Sequence, residues 1–211
     1  MNIDTSKLKS THWSELLLQM YSSSDCYNYA RTISYKEFWS TCPRGDWLLF
    51  FAAKEGSTTH KLIVKAACQC ARLSLPYVKK GDLRPRQAIE ITELWLEDKA
   101  TIEEVKLAAD AAYSAAVANA VYAANAANAA YAAYAAANAA YAAYAAAAYA
   151  DVSAYAAAYA ANAYAPAAYA DVSDLKKEMQ QKTADIVRSI IPMPMQAVNE
   201  FERLVSMKAF W

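Results

Sequence analysis

Between Thr101 and Ala170 the chain is built almost wholly of two residue types: of the 63 residues from Ala108 to Ala170, 39 are Ala and 11 are Tyr. Alanine has the highest intrinsic helix propensity, and neither Gly nor Pro interrupts the tract before Pro166, so helix is predicted throughout. Thr101 with Glu104 fits a capping box at its start, and Glu103 and Glu104 lie where the helix dipole favours negative charge. A single helix from Ile102 to Ala165 would be about 96 Å long at 1.5 Å per residue, several times the width of a compact domain. The tract is therefore expected to bend into two or three helices or to project as a rod. Asn125 to Asn128, Asn138 and Asp151-Val152-Ser153 are the candidate breaks. The pentapeptide Tyr149-Ala150-Asp151-Val152-Ser153 recurs at 169–173, with an Asp suited to N-capping in both copies.

The tyrosines do not form one stripe. At 100° per residue Tyr113, Tyr131 and Tyr149 share a direction while Tyr122 points opposite, and Tyr131, Tyr134, Tyr141 and Tyr144 repeat in a three-four manner. One reading is a core in which Ala allows close helix approach and Asn119, Asn125, Asn128 and Asn138 satisfy the phenols. The other is a groove walled by phenols such as those of Tyr131 and Tyr134, suited to stacking a planar ligand. Ala129 to Ala150 is uncharged and long enough to span a bilayer, yet it lacks the Leu, Ile, Val and Phe that favour insertion. No membrane association is expected. An ice-binding face is excluded because the tyrosines wander around the axis.

Basic residues number 21 against 21 acidic ones, so the chain is formally neutral and lacks the electrostatic footprint of a nucleic-acid binder. None of the basic residues lies between Lys106 and Lys176, which confines any side-chain anion site to the two ends of the sequence. The N-terminus carries no apolar targeting core, and a cytoplasmic location is expected. Cys26, Cys42, Cys68 and Cys70 form neither a disulfide framework nor paired C-x-x-C knuckles. Cys68 and Cys70 with His12 or His60 would make a poor zinc set, so buried thiols and no metal or cofactor are expected.

Trp13, Leu16, Leu17 and Met20 give a short amphipathic helix, interrupted by Ser22-Ser23-Ser24. A second helix is predicted from Asp25 to near Ile33, and a third opens on the capping box of Ser34 and Glu37 and stops at Pro43. In Cys42-Pro43-Arg44-Gly45-Asp46-Trp47-Leu48-Leu49-Phe50-Phe51, Asp46 is the predicted N-cap of a buried helix that Gly56 closes. His60 to Leu75 reads as a helix ended by Pro76, Lys79 to Asp82 as an exposed turn, and Pro85 as the first turn of a helix with Ala88, Ile89, Thr92, Trp95 and Leu96 inward. Arg72 lies in an apolar stretch and needs an acidic partner, Glu90 or Glu93. Leu175, Met179, Ile186, Val187 and Ile190 predict an amphipathic helix broken by Pro192 and Pro194, followed by a last one from Met195 to Met207.

The block from Cys42 to Leu49 resembles the immunity proteins with an immunity-protein-five-like domain, which carry such a block before an alanine-rich tract. The resemblance extends through Ala67-Cys68-Gln69-Cys70-Ala71-Arg72, through residues 84–95, and through Ala184-Asp185-Ile186-Val187-Arg188 with Ile191-Pro192. Members are often carried by phages and bacteria. The resemblance implies neutralisation of a toxin or a defence effector.

No nucleophile elbow, H-E-x-x-H, P-loop or glycine-rich cofactor loop is present, and an enzyme is not expected. The candidate binding cluster is Arg44, Asp46, Trp47, Arg72, Arg84, Arg86 and Glu90, in which guanidinium forks suit phosphate or carboxylate and an indole can stack a base. The competing reading is that Arg72–Glu90 and Arg44–Asp46 pin helices together. The expected fold is all-α: a bundle of about five helices within residues 1–100, then long Ala/Tyr-rich helices and two closing helices within 101–211. The expected function is non-catalytic sequestration of a small anionic, nucleotide-like effector by Arg44, Trp47, Arg72, Arg84, Arg86, Glu90, Tyr131 and Tyr134. Alternatives are a stoichiometric inhibitor of a protein toxin and a structural or adhesive helical protein. Ala-rich faces suit close packing between copies, so a homo-oligomer is expected.

Overall fold

Local capping chemistry fixes most helix boundaries in the computed structural model, which describes residues 3, 4, 6, 8–20, 22–120, 138–139 and 173–208. Helix α1 (Glu15–Gln19) buries Leu16 and Leu17, with Trp13 and Met20 beside them. The Ser23 hydroxyl accepts from the Cys26 N–H at 3.3 Å and opens α2 (Ser24–Ala30). Ser34 does the same for the Glu37 N–H at 3.2 Å and opens α3 (Tyr35–Thr41). Helix α4 (Gly45–Glu55) ends on Gly56, whose φ of 95° lies in the left-handed region that glycine tolerates. Helices α5 (His60–Arg72) and α6 (Arg84–Leu96) follow, the latter with Pro85 in its first turn. The reciprocal capping box opens α7 (Ile102–Ala120): Thr101 N–H donates to the Glu104 carboxylate at 2.7 Å, and Glu104 N–H to the Thr101 hydroxyl at 3.2 Å. Helices α8 (Ser173–Ile190) and α9 (Gln196–Lys208) follow among the described residues.

The described residues are all-α, without a strand. Among the described residues six α-helices precede residue 100, where about five were expected. Two local expectations need correction. Helix α4 starts two residues early, so Arg44 is its N-cap and Asp46 lies in the first turn rather than capping it. Helix α5 stops at Arg72, and Pro76 sits in a separate 3-10 turn, Leu75–Tyr77. The proposed breaks between Asn125 and Ser153 lie outside the described residues, apart from Asn138 itself, which is helical together with Ala139.

An aromatic cluster centres the core. Trp13 packs on Tyr35, Phe38 and Phe51 with centroids 5.2, 5.1 and 6.1 Å apart, and its indole N–H donates to the Ile33 carbonyl at 2.8 Å. Small residues set the helix approaches elsewhere. Helix α7 lies against α6 and buries Val105, Ala109 and Ala112. Helix α8 packs against both α4 and α5, burying Met179, Thr183, Ala184 and Val187, and α9 contacts α1.

The C-terminal segment is anchored by polar groups as well. Arg188 donates from Nε to the Trp39 carbonyl at 3.0 Å and from Nη2 to the Cys42 carbonyl at 2.6 Å, capping the end of α3. Buried Glu55 accepts from the Ala197 N–H at 3.0 Å at the start of α9, and from Ser57 N–H at 2.8 Å. The Tyr35 hydroxyl donates to the Pro194 carbonyl. Burial, and then the Glu55 charge, push that phenol's pKa up.

The tightest of these contacts is at Gly45, where an added Cβ would fall 2.5 Å from the Thr183 carbonyl carbon and 2.7 Å from Thr183 Cβ. Gly45→Ala should therefore destabilise the protein. The gain in helix propensity of about 1 kcal/mol is outweighed by overpacking of about 1–3 kcal/mol or more against a backbone atom. Urea unfolding checks it, and because the nearest atom is backbone, Thr183→Ser should not restore the loss.

Candidate functional site

The predicted cluster resolves into separate local groups. At the start of α4, Arg44 grips Asp46 with Nε to Oδ1 at 2.8 Å and Nη2 to Oδ2 at 2.6 Å. Its guanidinium also lies 4.5 Å from the Trp47 ring centroid, and Trp47 in turn packs on Tyr29 at 5.8 Å. Carboxylate and indole thus occupy the fork and its face, the arrangement of a pinned helix start.

At the start of α6, Arg84 holds Asp82 by Nε to Oδ1 at 2.9 Å and Nη2 to Oδ2 at 2.8 Å. That guanidinium keeps the Asp82 carboxyl below its usual range. Arg86 and Glu90 are exposed, without an ion pair among the described residues. Arg72 pairs with Glu93 and not with Glu90, through Nε to Oε1 at 2.8 Å and Nη2 to Oε2. The Glu93 hydrogen bonds hold the guanidinium pKa above its ordinary value, and Glu90 adds only through its charge. Tyr131 and Tyr134 lie outside the described residues.

Arg72, one of the predicted ligand residues, lines a cavity among the described residues. A half-open groove of about 500 Å³ runs between α5 and α6. One wall is a stripe of α5, Lys61, Lys65, Gln69 and Arg72, spaced so that all four fall on one helix face. The other wall is Glu93, Leu96 and Glu97, and Leu62 adds apolar surface. Lys61 closes one end, donating to the Leu96 carbonyl at 3.2 Å and to the Asp98 carboxylate at 2.8 and 2.9 Å. Glu97 pairs with Lys99 at 2.7 Å. Lys65 is exposed and has no ion pair among the described residues. The volume is within the range of small-molecule sites, with basic side chains along one wall and two carboxylates on the other. Sequence reasoning reached Arg72 and Glu93 but missed Lys61, Lys65 and Gln69, although their i, i+4, i+8 spacing with Arg72 at i+11 was there to be read.

Among the described residues no group of three or more His, Cys, Asp or Glu side chains is placed to hold a metal ion. No described helix is long and apolar enough to cross a membrane. All four cysteines are buried and free. Burial pushes the Cys42 thiol up to about 11 and those of Cys26, Cys68 and Cys70 higher still. Native protein at pH 8 should therefore resist thiol-specific alkylation, and all four thiols should react once it is unfolded in urea, since the thiolate is the reactive form. Mass spectrometry of the adducts reads this directly; fast native labelling of any one thiol would contradict its burial. Compared with protein-family models, with curated proteins and with solved structures, the chain gives no match.

Proposed function

We propose that this is a non-catalytic immunity or counter-defence protein that sequesters a small anionic, nucleotide-like effector in the groove between α5 and α6. The observation that carries the reading is the basic wall of that groove, with Lys65 left without an ion pair among the described residues beside apolar Leu62 and Leu96. The resemblance of the Cys42–Leu49 block to immunity proteins supplies the biology. A stoichiometric binder needs a preformed, partly enclosed surface and no reacting group, and the groove offers that combination. Neutral net charge suits the same role, because long polyanions gain little from a surface without an extended basic field.

A second reading, the capping of a protein toxin, draws on a different surface. Leu94 on α6 and Leu107 on α7 are 40% and 70% exposed on neighbouring helices, and a toxin bound across α6 and α7 would bury them.

Native mass spectrometry of protein from cells producing candidate effectors, followed by heat release and chromatography, tests the first reading. An intact compound should be recovered in near-stoichiometric amount. Lys65→Glu should weaken its capture by about tenfold or more, the scale of one charge-assisted contact, without lowering helicity. Arg86→Ala, outside the groove, should leave capture unchanged. A processed product would indicate an enzyme, and no retention of any candidate would transfer the case to a protein toxin.

A further inference from the structure

Three donors of α5 converge on one carboxylate in the groove. Arg72 Nε and Nη2 each donate to an oxygen of Glu93, and Gln69 Nε2 reaches Oε1 at 3.4 Å. Neither member of the ion pair is buried: the side chains are 33% and 26% exposed. A pair this open leaves its carboxylate within reach of solvent and of a competing anion. Its fork is the geometry with which arginine receives an external oxyanion, and it faces the groove.

We infer that Arg72 and Gln69 form a subsite for a phosphoryl group, that Glu93 fills this subsite in the free protein as an internal surrogate, and that ligand capture exchanges one for the other. The inference rests on the groove being the capture site. The exchange selects the ligand's chemistry. Glu93 is tethered beside Arg72 at an effective concentration of about millimolar or higher, so a single external carboxylate has no advantage over it. A phosphoryl group brings about −1.5 to −2 charge and three strong acceptor oxygens, and so exceeds what Glu93 offers. Lys65, on the same face of α5, lies about 10 Å from Arg72 along the helix axis, a separation suited to a second anionic group of the same ligand. Glu93 thus acts as a filter that rejects monocarboxylates and admits phosphorylated compounds.

Glu93→Ala empties the subsite, whereas Glu93→Gln keeps its shape and removes only the charge. Calorimetric titration with inorganic pyrophosphate should show Glu93→Ala binding at least about tenfold tighter than the wild type, with Glu93→Gln between them. The gain should vanish in the Arg72→Ala/Glu93→Ala double variant, and malonate, a dicarboxylate of similar size, should gain less. Equal affinity of wild type and Glu93→Ala would overturn the inference, as would a gain that survives loss of Arg72 or a malonate gain equal to that of pyrophosphate. Should Glu93→Ala fail to fold, Glu93→Gln decides, with no gain over wild type counting against the subsite. The two readings fail separately. A wild type that retains an effector from cells while Glu93→Ala gains nothing refutes the subsite alone; a gain in Glu93→Ala without retention of any effector leaves the subsite standing and removes the capture function.

Discussion

The seat of α8 against α4 and α5 is the contact on which the rest of the molecule depends. Gly45 meets Thr183 with no room for a methyl group, and the Cys70 thiol donates to the Thr183 carbonyl at 3.8 Å, so three helices meet at one backbone segment. The residues that meet are small because backbones, rather than long side chains, are in contact. This close approach then allows polar groups to reach free backbone ends more than 140 positions away in sequence: Arg188 caps α3, and Glu55 caps α9. Each such cap replaces water on a carbonyl or N–H with a charged partner, a contact of about 1.5–3 kcal/mol. Arg188 thus ties α8 to the end of α3, and Glu55 ties α4 to the start of α9, so the two terminal portions of the chain share one core.

The elements legible in the sequence were those whose determinants lie within a few residues. Ser34 and Thr101 open helices, Gly56 closes one, and Pro85 starts another, because each acts on backbone groups of its own turn. Failures began where a distant partner decided the outcome. Asp46 has good N-cap chemistry, but the approach of Gly45 to Thr183 and the grip of Arg44 place it inside the first turn, where the helix dipole still favours a carboxylate. Glu90 and Glu93 are equivalent candidates for Arg72 by composition, and only the packing of α5 on α6 selects Glu93. Arg188 and Glu55 had no local signature at all. The carbonyl and N–H groups that they cap at the ends of α3 and α9 are more than 140 residues away, which no periodicity encodes.

The same distinction governs the candidate site. Counting arginines in the recognisable blocks suggested one basic cluster, but an arginine near an acidic residue two positions away satisfies itself first. Arg44 with Asp46 and Arg84 with Asp82 are both i, i+2 pairs in which the fork closes on a neighbouring carboxylate. Such short loops have almost no closure entropy to overcome, so they form ahead of longer-range contacts. The cationic surface left for a ligand is then set by which basic side chains lack a local acid, and in the groove that is Lys65.

Capture by a groove of this kind depends on its walls holding still. A ligand bound between two helices that drift apart must order them at its own expense, and rigid walls remove that penalty. Helix α6 is fixed on both sides: α7 lies along it with Ala109 and Ala112 buried, and Lys61 ties its last turn to the first turn of α5 through the Leu96 carbonyl and Asp98. Asp98 reaches that position with a φ of 59°, a conformation uncommon for a residue with a side chain and tolerated by Asp. The turn after α6 therefore has a conformation that brings a carboxylate to the Lys61 ammonium. In this arrangement Lys61 holds the walls, and under the proposed capture recognition would fall to the stretch from Lys65 to Arg72, where the exposed charge lies above the buried small residues Ala66, Ala67, Cys70 and Ala71 that seat α5 in the core. One helix thus carries on opposite faces the packing that makes the fold and the charge pattern on which binding would depend.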